Sequence, residues 1–385
     1  MILSMKKALL ALALGTFALG VAEFSMMGIL GTVAQDFYIS VDKAGHLISA
    51  YALGVAIGAT GLVFLRKMRL SSLLLLLASV ICIGNTLVAL SPGFITMLCA
   101  RFVSGLPHGA FFGAGAIACT RLSPARGASA VAVMIGGMTV ANLMGVPGST
   151  WLAGIVGWRG AFAVVAVVGL MAAIAIRIWM PVLSPLPDTG LRGQFRFLKK
   201  REPWLIYGGV FFAQASVYCW FSYFEPIMTE VTHFSTHVMP WIMVLAGFGM
   251  VVGNILAGQL ADRFAPAAVS GTIAALIIVL MAAVYFASPY KIPTLLLIPL
   301  ATGSLFGVGG PPQFLIVQYS RGGEMLGGAG IQIAFNVSNA VAAFVGGQAI
   351  SHGLGLGSPA LAAIPFAAIG CTCFWLLYRL RNAPQ

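Results

Sequence analysis

From Ala8 to Ala34 the chain carries a single charge, Glu23, in an otherwise apolar run broken only by small hydroxyls. At about 1.5 Å per residue this run is long enough to cross a hydrocarbon core with some tilt. Backbone in lipid has to satisfy its own hydrogen bonds, so the run has to be a helix. Glu23 then lies about 24 Å beyond Lys7 and about 18 Å before Gln35, deep in the span. A charge at that depth costs several kcal/mol, and such an acid reads as a proton or ion relay that faces a polar cavity.

Eleven further runs have the same character, over residues 44–65, 71–91, 94–120, 127–153, 160–180, 204–225, 238–260, 267–287, 293–318, 325–350 and 358–378. With 60% hydrophobic and 8% charged residues, the chain has the composition of a polytopic membrane protein rather than a water-soluble one. The expected fold class is an all-α membrane protein of twelve transmembrane helices. The net charge of +12 could suggest nucleic acid, but its distribution argues otherwise. With the amino terminus in the cytoplasm, 17 Lys and Arg fall on the cytoplasmic side and only Lys43, Arg159 and Lys291 on the other. That bias predicts both termini in the cytoplasm and the chain in the inner (plasma) membrane; the basicity orients the protein and recruits no nucleic acid.

The longest hydrophilic interruption, Pro181 to Pro203, is rich in Pro, Gly and basic residues and lies near the middle. It predicts an N-terminal half of six helices over residues 1–180, a cytoplasmic linker over 181–203 and a second six-helix half over 204–385. Internal repeats agree. Gly136 to Asn142 has a counterpart in Gly330 to Asn336, and Gly54-Val55-Ala56-Ile57-Gly58 in Gly249-Met250-Val251-Val252-Gly253, at offsets of 194 and 195. Two six-helix halves repeated in parallel are an architecture of secondary transporters, with the solute site between them at mid-depth.

Several chemistries are disfavoured. No Gly-rich phosphate loop ending in Gly-Lys-Ser/Thr occurs, so ATP is not the expected energy source. The six cysteines, Cys82, Cys99, Cys119, Cys219, Cys371 and Cys373, all fall in spans and read as small packing residues rather than disulfide or metal ligands. Neither a cofactor nor a metal is expected, and no nucleophile or metal-ligand constellation suggests an enzyme. The amino terminus resembles a secretory signal, but its apolar run is too long and continues through an acid, which predicts a retained span.

Three stretches carry a family likeness: Leu12 to Phe17 leading to Ala22-Glu23-Phe24; Arg101-Phe102-Val103-Ser104-Gly105-Leu106-Pro107-His108-Gly109; and Gly137-Met138-Thr139-Val140-Ala141-Asn142-Leu143-Met144-Gly145-Val146-Pro147. They resemble the arabinose-efflux-permease group, among the drug:proton antiporters of the major facilitator superfamily. The resemblance implies proton-driven export and leaves the solute open. The superfamily's loop signature is kept in the second half as Gly258-Gln259-Leu260-Ala261-Asp262-Arg263. In the first half the loop reads Leu65-Arg66-Lys67-Met68-Arg69 and lacks the Asp, so a gating ion pair there has to differ. The antiporter signature ordinarily has adjacent Gly-Pro; here Val146 separates Gly145 from Pro147.

Arg101, Ser104 and His108 recur on one face of the fourth span. Arg101 lies about 12 Å beyond Gly93 and about 6 Å from the level of Glu23, within reach of two long side chains. A nearby cation favours a charged carboxylate and an apolar surround a neutral one, so relative movement of the two helices could load and unload a proton. Glu23, Arg101 and His108 are thus the expected proton relay, with a static ion pair between the first and fourth spans as the alternative. His108 follows Pro107, which frees the carbonyl of Val103, so the imidazole could equally satisfy that backbone group.

A solute cavity is expected from amides and a phenol: Gln214 and Tyr218 in the seventh span, Gln332, Asn336 and Asn339 in the eleventh, and Asn142 in the fifth. Each amide alone could instead bridge helices. Gating is expected at Gly145 and Pro147, at Asp262 and Arg263, and at Pro311 within the Gly/Pro-rich tenth span. The reading is a proton-coupled exporter of a sugar-like or small amphipathic solute, working as a monomer with only a small molecule, a proton and lipid as partners. The alternative is a proton-coupled or facilitative importer of a small polar solute with the same fold.

Overall fold

The computed structural model describes residues 2–39, 41–186 and 188–382. Among them all regular structure is helical, and twelve segments are long and apolar enough to cross a membrane. Packing divides the chain into two compact units, Met1–Phe197 with Ser320–Ile333, and Leu198–Tyr319 with Ala334–Gln385. Most of the linker and the start of the eleventh span pack with the first.

The first unit holds α1 (Ile2–Asp36), α2 (Val41–Gly61), α3 (Leu70–Ala89), α4 (Phe94–Leu122), α5 (Gly127–Val140), α6 (Val146–Trp179) and the short α7 (Gly190–Gln194). Pro147 has no N–H to offer the carbonyl one turn back, and just before it the chain widens into a π turn over Ala141–Gly145 that joins α5 to α6. The fifth span ends at Gly157, whose φ of 76° and ψ of 165° break α6 into the end of one span and the whole of the next. At the end of α1, the Asp36 carboxylate accepts hydrogen bonds from Arg159 (2.6 Å) and Trp158 (3.1 Å) just past that break.

The second unit holds α8 (Arg201–Phe221), α9 (Phe224–Pro226), α10 (Met239–Arg263), α11 (Pro266–Ala287), α12 (Lys291–Gly307), α13 (Gly310–Tyr319), α14 (Glu324–Ala349), whose first ten residues belong to the other unit, and α15 (Ser358–Asn382). Its core gathers Trp220, Phe224, Met228, Ile277, Met281 and Leu305. The tenth span is interrupted between α12 and α13 at Val308 and Gly309, ahead of Pro311 and Pro312, which have no N–H to continue the ladder.

The glycine repeat has a packing reason. A Cβ on Gly54 or Gly58 of α2 would overlap the carbonyls of Phe102 or Leu106, and one on Gly105 of α4 would overlap the carbonyl of Tyr51. In the second unit Gly249 and Gly253 of α10 meet the carbonyls of Pro299 and Gly303 of α12 in the same way. Lipid tails are as apolar as side chains, so close backbone approach of this kind drives helix association where the hydrophobic effect cannot.

The linker is fastened to the first unit. Leu70 N–H donates to the Leu183 carbonyl (3.1 Å), Arg121 to the Ser184 carbonyl (2.7 Å), and Thr189 to the Gly322 carbonyl (2.6 Å). Asp188 pairs with Arg66 at 2.7 Å and with Lys67 at 3.7 Å, so the acid that the Leu65 to Arg69 loop lacks comes from the linker. The hydrogen bond from Arg66 and one from Gly190 N–H hold the Asp188 carboxyl below its ordinary value of 3.8. A lowered folded value stabilises the protein above the unfolded value and stops doing so as pH falls through the folded one. Asp188→Asn should therefore lower the thermal midpoint at neutral pH, and the difference from the parent should close as pH falls below about 4. Differential scanning fluorimetry over a pH series in detergent measures this.

Candidate functional site

Three helices of the first unit converge on Glu23. It lies on α1, its side chain is 13% exposed, and its buried Oε2 accepts no hydrogen bond. The nearest basic group is His108 of α4, whose Nδ1 stands 3.8 Å from Oε2. Tyr51 of α2 places its hydroxyl 2.9 Å from that Nδ1 and 3.4 Å from the Leu19 carbonyl of α1. His108 stacks on Phe112 at 5.3 Å, one turn along its own helix. The Gln332 side chain, from the part of α14 that belongs to this unit, stands beside the imidazole.

Arg101 is fully buried, yet it does not take Glu23 as an ion-pair partner within 4 Å. Its Nη1 donates to the Ala22 carbonyl (2.7 Å) and its Nε to the Leu47 carbonyl (3.3 Å), and its guanidinium lies over the Tyr51 ring at 4.4 Å. The direct pair expected from helix levels is thus replaced by an indirect connection. Two carbonyls and an aromatic face hold the planar guanidinium beside the acid, and Nη2 is left without a hydrogen bond. The expectation that His108 could satisfy the carbonyl freed by Pro107 is likewise corrected, because Nδ1 is taken by the Tyr51 hydroxyl.

Tyr51 was not among the residues expected from sequence. A signal was present: it precedes Gly54 by three residues and Gly58 by seven, on the face that the glycines press against α4. Asp188 was missed because its partner Arg66 lies 122 residues away.

The remaining expected residues fall in both units. In the second unit Gln214 is buried and donates to the Leu305 carbonyl at 2.8 Å, with its Oε1 unpaired. Tyr218 is half-buried and packs edge-on to Phe221. Asn336 and Asn339 are half-buried on α14, and the buried Oδ1 of Asn339 has no hydrogen bond. Asn142 lies in the π turn of the first unit and donates to the Met138 carbonyl at 3.1 Å. Gly145 rests against Val21, so that a Cβ there would stand 2.5 Å from Val21 Cγ2, whereas Pro147 is exposed. Asp262 and Arg263 close α10, half-buried and exposed, and Pro311 is buried in the first turn of α13. Among the described residues no group of three His, Cys, Asp or Glu could hold a metal, and all six cysteines are free thiols.

A family model described as Major Facilitator Superfamily matches residues 12–331. The chain belongs to the Major Facilitator Superfamily. It is 40% identical over 383 residues to AraJ of Escherichia coli (strain K12), which covers 98% of this chain and 97% of that one. It is also 28% identical over 356 residues to a chloramphenicol resistance protein of Streptomyces lividans, covering 89% of each. Among solved structures, the E. coli fucose:proton symporter FucP superposes with a TM-score of 0.77 at 14% identity, over 96% of this chain and 98% of that one. This likeness establishes the fold. The chain is an integral membrane transporter of the superfamily.

The separate tethering of Arg101 has a measurable consequence for stability. Arg101→Met removes two charge-assisted hydrogen bonds and the stack on Tyr51, a loss of about 1 to 3 kcal/mol. Glu23→Gln removes no ion pair with Arg101 and should leave the midpoint within about 0.5 kcal/mol of the parent. Thermal unfolding of both variants in one detergent checks this; equal losses would identify a static Glu23 and Arg101 staple.

Proposed function

We propose that this transporter couples export of a small organic solute to the inward movement of protons, with Glu23 as the proton carrier and His108 as its immediate partner. The observation that carries this reading is the buried, unbonded Oε2 of Glu23, 3.8 Å from an imidazole nitrogen. Glu23 is the only carboxylate deep in a predicted span; the other eight acids lie in loops or at span ends. Moving one charge across the membrane field is worth up to about 2.3 kcal/mol per 100 mV, and only a group that changes charge during the cycle can use it.

Arg101 tunes that site across Tyr51 rather than by direct pairing. Two halves, residues 1–180 and 204–385 joined by the 181–203 linker, alternate access to a solute cavity lined by Asn142, Gln214, Tyr218, Gln332, Asn336 and Asn339, whose amides suit hydroxyls. Gly145, Pro147, Asp262, Arg263 and Pro311 serve as gates. The chloramphenicol relative favours export of an amphipathic drug; the amides favour a sugar-like solute. Import of a small polar solute is the second reading, since the same machine runs either way down the combined gradient. The positive charge bias supports both termini in the cytoplasm, with the chain in the inner membrane, and a single chain holds both halves of the proposed machine.

The test is transport in proteoliposomes under an imposed pH gradient, with chloramphenicol and neutral hexoses as probes, preceded by a thermal-shift screen with the same compounds. Glu23→Gln keeps size and hydrogen-bonding capacity but stays neutral. It should retain the thermal shift with the bound probe and abolish gradient-driven accumulation. Undiminished gradient-driven transport by this variant would overturn the proposal.

A further inference from the structure

The geometry points to Tyr51 as a positioning residue of the proton site: its hydroxyl hydrogen holds His108 Nδ1 as an acceptor, and it turns to the Leu19 carbonyl when that nitrogen takes a proton from Glu23. This inference rests on the reading of Glu23 and His108 as the proton site.

Tyr51 is 2% exposed, and its position is set by backbone contact, since its carbonyl bears on Gly105 where no Cβ fits. The ring is fixed from two further directions, by the Arg101 guanidinium over its face at 4.4 Å and by the edge-to-face contact with His108 at 5.9 Å and 81°. What remains free is rotation of one O–H bond. Two acceptors lie within its reach, His108 Nδ1 at 2.9 Å and the Leu19 carbonyl at 3.4 Å. A phenol has one hydrogen to donate, so it serves one of them at a time. The shorter distance favours Nδ1, which makes Nδ1 the bare nitrogen of the imidazole and puts the ring hydrogen on Nε2.

The same Nδ1 is the atom nearest to Glu23, at 3.8 Å from Oε2. A neutral imidazole nitrogen has one lone pair, so the Tyr51 hydroxyl and a protonated Glu23 compete for it. Transfer runs in balance: the carboxylic proton passes to Nδ1, Glu23 becomes a carboxylate and His108 an imidazolium. The Tyr51 hydrogen swings to the Leu19 carbonyl, and its oxygen then accepts from the new Nδ1–H. Tyr51 neither gains nor loses a proton. Leu19 lies one helical turn before Glu23, so its carbonyl also receives the Glu23 N–H in the α1 ladder. The hydroxyl thereby links the state of the imidazole to the backbone that carries the acid. The titratable or charged groups around the imidazole are Glu23 from α1, Tyr51 from α2 and Arg101 on α4 itself, with the neutral Gln332 amide from α14.

The test is 15N NMR of the full-length protein in nanodiscs, with ring-labelled histidine and the His108 signals assigned by their disappearance in His108→Gln. The parent protein at neutral pH should show one tautomer, with Nδ1 unprotonated and hydrogen-bonded and Nε2 protonated. Tyr51→Phe keeps the ring beneath Arg101 and removes only the hydroxyl. It should lose the single tautomer and give a mixture in which a substantial fraction carries hydrogen on Nδ1. A parent His108 with Nδ1 protonated at neutral pH would overturn the inference, and that result needs no variant to fold. An unchanged single tautomer in a folded Tyr51→Phe would overturn it as well. Failure of the underlying proton reading would register separately, as gradient-driven transport that survives Glu23→Gln while the His108 spectrum is as expected.

Discussion

A guanidinium buried in a membrane bundle has to find its hydrogen bonds within the protein, and Arg101 takes them from the backbones of two neighbouring helices. Its bonds to the Ala22 and Leu47 carbonyls fix the level of α1 and α2 against α4 at one point. The glycine contacts of α2 on α4 fix the approach, and together they place a phenol between the cation and the imidazole. Glu23 is left with a cation nearby and no bond to it. That separation distinguishes a group able to change protonation from one locked in an ion pair, because a carboxylate that is fully paired and bonded would lose those interactions on taking up a proton.

The coarse architecture was legible in the sequence for a plain reason: lipid allows few alternatives. Twelve uninterrupted apolar runs, a basic linker and glycines repeated at an offset of 195 residues point to helices, their number and a doubled pattern. The same glycines turn out to meet carbonyls in both units, so the repeat recorded a packing requirement.

Partner choice was not readable. Helical levels bring Arg101 near Glu23 but do not say that carbonyls at Ala22 and Leu47 lie closer to its nitrogens. Pro107 suggested that His108 serves a freed carbonyl, whereas a phenol from α2 reaches its Nδ1 first. Both misses have one cause: the competing groups come from other helices, 54 to 79 residues away for Arg101 and 57 for His108. The linker acid Asp188 escaped for the same reason, although the lack of an acid beside Arg66 was visible. Val146 between Gly145 and Pro147 appeared as a departure from a motif; in three dimensions Gly145 closes a π turn and still meets α1, and Val146 opens α6.

The account stands on Glu23 changing protonation within the folded protein while Arg101 stays fixed to carbonyls. The most direct measurement is difference infrared spectroscopy of the protein in lipid, titrated across the physiological pH range, with the carboxylic C=O stretch compared between the parent and Glu23→Gln. The account predicts a buried carboxylic band that appears and vanishes reversibly within this range in the parent and is missing from the variant. A Glu23 that keeps one protonation state throughout the range would contradict it.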